Sequence, residues 1–299
     1  MELRQLRYFV ATAQTLSFSE AARRLYITQG TLSQQIGQLE DELGSLLFKR
    51  SPRSVSLTEE GKELLPLAEK TLMDAKSCTD RLSDLRKMTV GTLNVGLTYS
   101  FQKILSDTMK EFISTYPGVR LNAVYAPADV LLGKLRKQEL DFVLAFEPAE
   151  MTEEFQAEEL FEVPMGIIMR KDHPLAEKTS LTIEDLRGWG LAIPARGLQA
   201  RKALDRVMNV TALGLPVRVE VNDPNIILDV VANGKLVTIM SEMALELHGG
   251  LVSRPIEGLT RRLSGSIITL RDGYRKRSAG AFFEMLRDSA AIARIGKDW

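Results

Sequence analysis

The sequence predicts an α plus α/β protein: an N-terminal winged helix-turn-helix, a long linker helix, and a large α/β domain. Three observations carry that expectation. Residues 17–50 hold two short helical segments, each with its own capping side chain. Residues 58–85 repeat apolar or small side chains at alternating three- and four-residue spacing. Beyond residue 91, strand-like apolar runs alternate with helical ones, the pattern of a sheet covered on both faces.

The first short helix is expected over residues 20–25, capped by Ser19, with Glu20 suiting the positive helix start. Ala21, Ala22 and Leu25 make a small apolar face that lets a second helix cross closely. Tyr26 and Ile27 form the turn, and Thr28 caps the next helix. There Leu32, Ile36, Leu39 and Leu43 share one face and point to the core. Gly30, Gln34, Gly37 and Asp41 face the other way, flanked by Thr31, Ser33 and Gln38. Glutamine pairs bidentately with adenine, and serine or threonine bonds either base type. Thr28, Gln29, Gly30, Thr31, Ser33, Gln34 and Gln38 are therefore candidate contacts to double-stranded DNA. A polar face alone would describe any solvated helix; the paired caps and the small-residue crossing favour a DNA reader.

Residues 48–58 read as the wing. Val55, Ser56 and Leu57 alternate as a short strand does, and Lys49, Arg50 and Arg53 surround Pro52. The second helix has no Lys or Arg between Thr28 and Leu39, so phosphate neutralisation falls to Lys49, Arg50, Arg53, Arg23 and Arg24.

These motifs resemble the LysR-type transcriptional regulators. The likeness lies in Leu3, Leu6, Phe9 and Val10; in Phe18, Ser19, Ala21, Ala22 and Leu25; in Ser33, Ile36, Leu39, Glu40, Leu43, Gly44, Leu47, Phe48 and Arg50; and in Leu57, Thr58 and Gly61. It is dense over the first sixty or so residues and looser beyond. Gly30 stands where the family often has proline or alanine, and Gly37 where a basic residue is common. The resemblance implies that a basic wing residue reaches the minor groove, with Arg53 at the matching position. It also implies a homodimer or homotetramer that bends promoter DNA, and an effector domain folded like a periplasmic binding protein, in two subdomains.

Composition fits a site-specific binder. The chain has 39 basic and 39 acidic residues among 299, so it is not a cationic DNA coat. No leader-like start and no long apolar run stand out, which gives the expectation of a cytoplasmic protein with no membrane contact. The single cysteine, Cys78, excludes an intrachain disulfide switch of the kind some family members use, and reads as a small packed residue. His173 and His248 are far apart and lack ligand-spaced partners, so neither a metal nor a cofactor is expected.

Thr58 is the expected cap of the long helix, with Glu59 and Glu60 in its first turn and Pro66 bending it. Leu65, Ala68, Leu72, Ala75, Thr79 and Leu82 form a heptad-like seam that suggests pairing with a second copy; packing on its own domain is the alternative. Residues 86–89 read as a hinge. This gives a DNA-binding domain over 1–58, a linker over 59–88 and a regulatory domain over 89–299. Its subdomain I would cover about 89–162 and 268–299, and subdomain II about 163–267.

In the regulatory domain, strands are expected at 92–97, 119–125, 140–146, 165–169, 191–193, 217–221 and 237–240. Helices are expected at 101–116, 130–137, from Leu198, at 225–232, and at 279–295. The resemblance implies two crossovers between the subdomains, the first around 161–176 and the second near 264–270. Ligands of open α/β sheets sit beyond the carboxyl ends of the strands. That rule selects Thr98, Tyr99, Ser100 and Phe101 on one wall with Pro127 and Phe146, and Arg196, Asn222 and Asp223 on the other. Thr98 and Ser100 also match the family's usual effector positions. Arg196 could pair a carboxylate, so a small organic anion is the expected small-molecule effector, while Asp223, if it faces the cleft, would suit an amino group. The competing class is a ligand-binding or enzymatic α/β protein with an accessory helical DNA-binding domain. No catalytic triad, carboxylate pair, nucleotide loop or metal spacing supports catalysis.

Overall fold

The computed structural model describes residues 1–51, 54–84, 91–148, 151–196, 201–202, 204–205, 213–259 and 262–295. Arg53, the hinge stretch 86–89 and the start of the helix expected from Leu198 lie outside the described residues. The chain divides into two compact units, Met1–Ser83 and Asp84–Trp299.

The first unit runs α1 (Leu3–Thr15), α2 (Phe18–Arg24), α3 (Gln29–Leu43), β1 (Phe48–Ser51), β2 (Ser54–Leu57) and α4 (Glu59–Asp84). Leu6, Phe9, Ala21, Ala22, Leu32, Ile36, Leu39, Leu47 and Phe48 form its core, with the Phe48 ring 5.5 Å from both Phe9 and Phe18. The buried alanines of α2 let α3 cross it closely, as their size demands. α2 begins earlier than expected. Ser17, not Ser19, is its cap, and Ser17 Oγ accepts from the Glu20 amide at 3.3 Å. Phe18 is buried and anchors the first turn from inside, so the chain is already helical at Ser19. Leu43, expected in the core, is 40% exposed, because it occupies the last turn before the left-handed Gly44.

Thr58 starts α4 as expected: its Oγ1 accepts from the Gly61 amide at 2.9 Å and donates to the Leu46 carbonyl at 2.7 Å. The apolar stripe of α4 then divides. Ala68 is buried, and Leu64, Leu65 and Leu72 pack with it against the helix-turn-helix core. Thr79 is exposed, and Leu82 is 64% exposed. A stripe at this spacing packs on whichever apolar surface is nearest, and for its first half that surface is the chain's own domain. Cys78, expected as a packed residue, is exposed.

The second unit runs β3 (Gly91–Leu97), α5 (Gln102–Thr115), β4 (Val119–Tyr125), α6 (Ala128–Arg136), β5 (Phe142–Phe146), β6 (Phe155–Arg170), β7 (Leu191–Pro194), β8 (Val217–Val221), α7 (Pro224–Ala232), β9 (Thr238–Ser241), β10 (Leu251–Pro255), β11 (Arg262–Leu270), α8 (Arg277–Arg287) and α9 (Ala290–Ile295). Its main sheet has the order β10–β6–β11–β5–β3–β4, with β9 also beside β6. In one half β3 pairs in parallel with β4 and β5, and β11 joins β5 antiparallel. Phe112, Phe142, Phe282 and Phe283 fill the space under α5 and α8, with ring centres 4.8–5.6 Å apart. The other half holds β9 and β10 beside the end of β6, and β7 paired with β8.

β6 is common to both halves. Residues 155–164 pair with β11, and residues 165–170 pair with β9 and β10. The strand expected over 165–169 is thus the end of a much longer one. β10 has no counterpart among the expected strands, since its Arg-Pro end hides a strand pattern. The expected final helix breaks at Asp288 and Ser289, where Ser289 Oγ accepts from the Ile292 amide and opens a new turn. His173 sits in its expected His-Pro turn, where Nδ1 accepts from the Leu175 amide and burial pushes its pKa down.

Candidate functional site

In the first unit α3 offers an exposed polar face. Thr28, Gln29, Gly30, Thr31, Gln34 and Gln38 are exposed, while Ser33 is half-buried. Thr28 Oγ1 accepts from the Thr31 amide at 3.1 Å, the cap expected for this helix. Ser19 donates its hydroxyl to Gln29 Oε1 at 2.7 Å and so fixes that side chain, and Gln35 Nε2 donates to Gln38 Oε1 at 2.9 Å. Among the described residues nothing bonds the Gln34 amide, and a side chain added at Gly37 would meet only open space.

The expected cations are unequally placed. Arg50 donates to Ser33 Oγ at 2.9 Å and to the buried Glu40 at 3.0 Å, and its guanidinium lies 4.4 Å over the Phe18 ring. It is therefore tied to the scaffold on the same side as Ser33. Arg23 and Arg24 both pair with Glu20, and all three side chains remain solvent-accessible. Lys49 is exposed on β1.

In the second unit a cavity of about 310 Å³ opens at the carboxyl ends of six strands. Thr98, Tyr99 and Ser100 follow β3; Tyr125, Ala126, Pro127 and Ala128 end or follow β4; Phe146 and Glu147 end or follow β5. Across the cleft stand Pro194 of β7, Asn222 and Asp223 after β8, and Met240 and Ser241 of β9. Met165 and Leu263 come from the crossover strands. The strand-end rule thus brings together Thr98, Tyr99, Ser100, Pro127, Phe146, Asn222 and Asp223. It does not bring Phe101 or Arg196. Phe101 is fully buried against Phe146 and Phe161, with centroids at 5.4 and 5.6 Å, so it backs the wall rather than facing it. Arg196 is exposed and does not line the cavity. Pro194, expected beside Arg196 on the second wall, does line the cavity, whereas sequence reasoning misses Tyr125 and Ser241 although they too lie at strand ends. Met165 and Leu263 carry no signal, since alternation does not say which face of a crossover meets the cleft.

Tyr99 has an unusual position. It follows β3, yet its ring packs with Ile168, Ile227, Leu228 and Val231 of the opposite half, and it is only 5% exposed. Its hydroxyl meets His248 Nδ1 at 3.2 Å. Burial pushes the phenol pKa up to about 12, with Tyr125 and Asp223 adding to the effect. Burial, helped by Asp223, also raises that of Tyr125. The hydroxyls of Thr98 and Ser100 have no partner among the described residues.

No group of three His, Cys, Asp or Glu able to hold a metal occurs among the described residues. No helix among them is long and apolar enough to cross a membrane.

Comparison with known proteins gives the same two modules. Residues 3–62 match the model for bacterial regulatory helix-turn-helix proteins of the lysR family, and residues 86–291 match the LysR substrate binding domain. The chain is 32% identical to the HTH-type transcriptional regulator CbbR of Rhodospirillum rubrum over 86% of each chain. It is 26% identical to the RuBisCO operon transcriptional regulator of Allochromatium vinosum over 97% of each. A full-length OxyR variant from Pseudomonas aeruginosa is similar in structure, with a TM-score of 0.66 and 26% identity over 96% of this chain and 94% of that one. The two sequence relatives are named as regulators, not enzymes. With a capped helix-turn-helix in one unit and a cleft at strand ends in the other, the chain belongs to the LysR family of DNA-binding transcriptional regulators.

Proposed function

We propose that residues 1–58 read operator DNA, residues 59–88 pair two or four copies, and residues 89–299 bind a small organic effector that sets how the readers are presented. The observation that carries this reading is the cavity at six strand ends, on the same chain as a capped helix with an exposed glutamine face. Gln34, Gln29, Gln38, Thr28, Thr31 and Gly30 meet the major groove, and Lys49 and Arg53 with Arg23 and Arg24 meet phosphates or the minor groove. Arg50 positions Ser33 more than it neutralises phosphate. The exposed far half of α4 pairs with a second copy, which places two α3 helices on half-sites one helical turn or a multiple apart. The protein works in the cytoplasm.

In the cleft, the free hydroxyls of Thr98 and Ser100 hold an acid group of the effector, and Phe146, Met165 and Leu263 cover its apolar part. A ligand changes the assembly only if it prefers one arrangement of the subdomains, since equal affinity shifts nothing.

Footprinting across a salt series tests the reading: a discrete dyad site is expected, with affinity falling steeply as salt rises. Random duplex bound as well as any operator would overturn it. Gln34→Ala should cut the preference for operator over random duplex by about tenfold, the value of one bidentate base contact, while the salt slope stays. Ser100→Ala should weaken the ligand identified by mass spectrometry of the purified protein by about tenfold, read as a smaller rise in Tm.

A further inference from the structure

The two walls of the cleft differ in chemistry. The first presents the hydroxyls of Thr98 and Ser100, which donate to an acid group. The second presents Asp223. This residue caps α7: its Oδ1 accepts from the Asn225 amide at 2.8 Å and from Asn225 Nδ2 at 3.1 Å. Capping needs only that one oxygen. Among the described residues nothing bonds Oδ2. The other acid on the lining, Glu147, stands on the first wall and is exposed, whereas Asp223 is half-buried; Glu147 Oε1 accepts from Ser266 Oγ at 2.7 Å and from Ser264 Oγ at 3.4 Å. Among the described lining residues there is no Lys, Arg or His.

The surroundings of Asp223 are largely apolar, with Phe146, Met165, Ile239, Met240 and Leu263 on the same lining. A simple carboxylate ligand brought into this space would face a second negative charge at low dielectric. A neutral ligand would close the cleft over a charged carboxylate whose second oxygen is unmatched. A ligand ammonium removes both costs and makes a charge-assisted hydrogen bond. The reach of the Asp223 charge into the cavity shows in Tyr99 and Tyr125, whose phenols it helps to hold above their ordinary range.

We infer that the effector is a small apolar zwitterion of the α-amino-acid type, its carboxylate on Thr98 and Ser100 and its ammonium on Asp223 Oδ2. This rests on the cavity being the effector site. The space, about 310 Å³, is that of a small ligand, and the apolar part of its lining suits an aliphatic or thioether side chain rather than a charged one.

The test is calorimetric titration of the full-length protein with valine, leucine, methionine and phenylalanine, each beside its deaminated acid and its decarboxylated amine. At least one amino acid is expected to bind at least about tenfold more tightly than either truncated analogue. Asp223→Asn, which keeps a good cap and so the fold, should weaken that amino acid by about tenfold or more and bring it level with the deaminated acid. Ser100→Ala should weaken both the amino acid and the deaminated acid. If a deaminated acid binds as tightly as its amino acid, or Asp223→Asn changes nothing, the ammonium contact is overturned. Sensitivity of that acid to Ser100→Ala would then leave the cleft standing as effector site. If no member of the series binds, the amino-acid class is overturned, and the cleft itself is judged on the co-purified ligand.

Discussion

Glu40→Ala is expected to destabilise the N-terminal unit by about 3 kcal/mol and to abolish operator binding at moderate temperature. Glu40 is 6% exposed although it sits on α3, the reading helix. Its Oε1 accepts from the amides of Leu47 and Phe48 at 2.8 and 3.2 Å, and its Oε2 accepts from Arg50 at 3.0 Å. One carboxylate thus satisfies two buried amides at the start of the wing and holds the cation that positions Ser33. Truncation leaves both amides without an acceptor and frees Arg50. The Arg50 contribution is the smaller part, because that side chain is 40% exposed and screened by water. Glu40→Gln retains one carbonyl acceptor and should cost about 1 kcal/mol. Urea unfolding of the two variants measures the difference, and equal midpoints for Glu40→Ala and the parent would refute the account.

Gly61→Ala should cost a comparable amount, about 3 kcal/mol, for a steric reason. A Cβ at residue 61 would overlap the Leu47 carbonyl oxygen and lie 3.0 Å from Leu57 Cδ2. The first contact is with backbone, and that same carbonyl accepts from the Thr58 amide at 3.0 Å, so it cannot swing aside without losing the start of α4. The variant should melt well below the parent. Gly37→Ala, where nothing lies within 4 Å, should be neutral or slightly stabilising through helix propensity.

The first unit is legible in the sequence where local rules decide. Thr28 as a cap, Leu32, Ile36 and Leu39 as a core face, and the wing strand at Val55, Ser56 and Leu57 follow from spacing and hydroxyl chemistry alone, while its partner β1 emerges only in the structure. The differences arise from competition between local options. Ser17 and Ser19 both satisfy the capping rule, and the burial of Phe18 chooses between them. The stripe on α4 is legible as a stripe but not as to partner, because periodicity names a face and not what covers it. In the second unit the strand-end rule places seven of the nine chosen cleft residues on one cavity. It fails for Phe101 because the chain after β3 makes a 3₁₀ turn over Tyr99–Phe101, in which side chains two positions apart point about 120° apart, which sends Tyr99 and Phe101 to different interiors. Arg196 fails because charge type suggests a role that its position does not support. Glu40 and Gly61 are visible only as parts of a resemblance; the acceptors and the close carbonyl that explain them join residues that are not sequence neighbours.

The anchoring of Tyr99 bears on how the cleft can move. A rigid ring attached to one lobe is seated in the close-packed interior of the other, and its hydroxyl is tethered to His248 there. Withdrawing it part-way would forfeit its packing contacts before new ones form, which packed interiors resist. The lobes should therefore behave as a detent, resting in one seat or another with few halfway positions, so that a graded rise in effector concentration changes the fraction of molecules switched rather than the degree to which each one is turned.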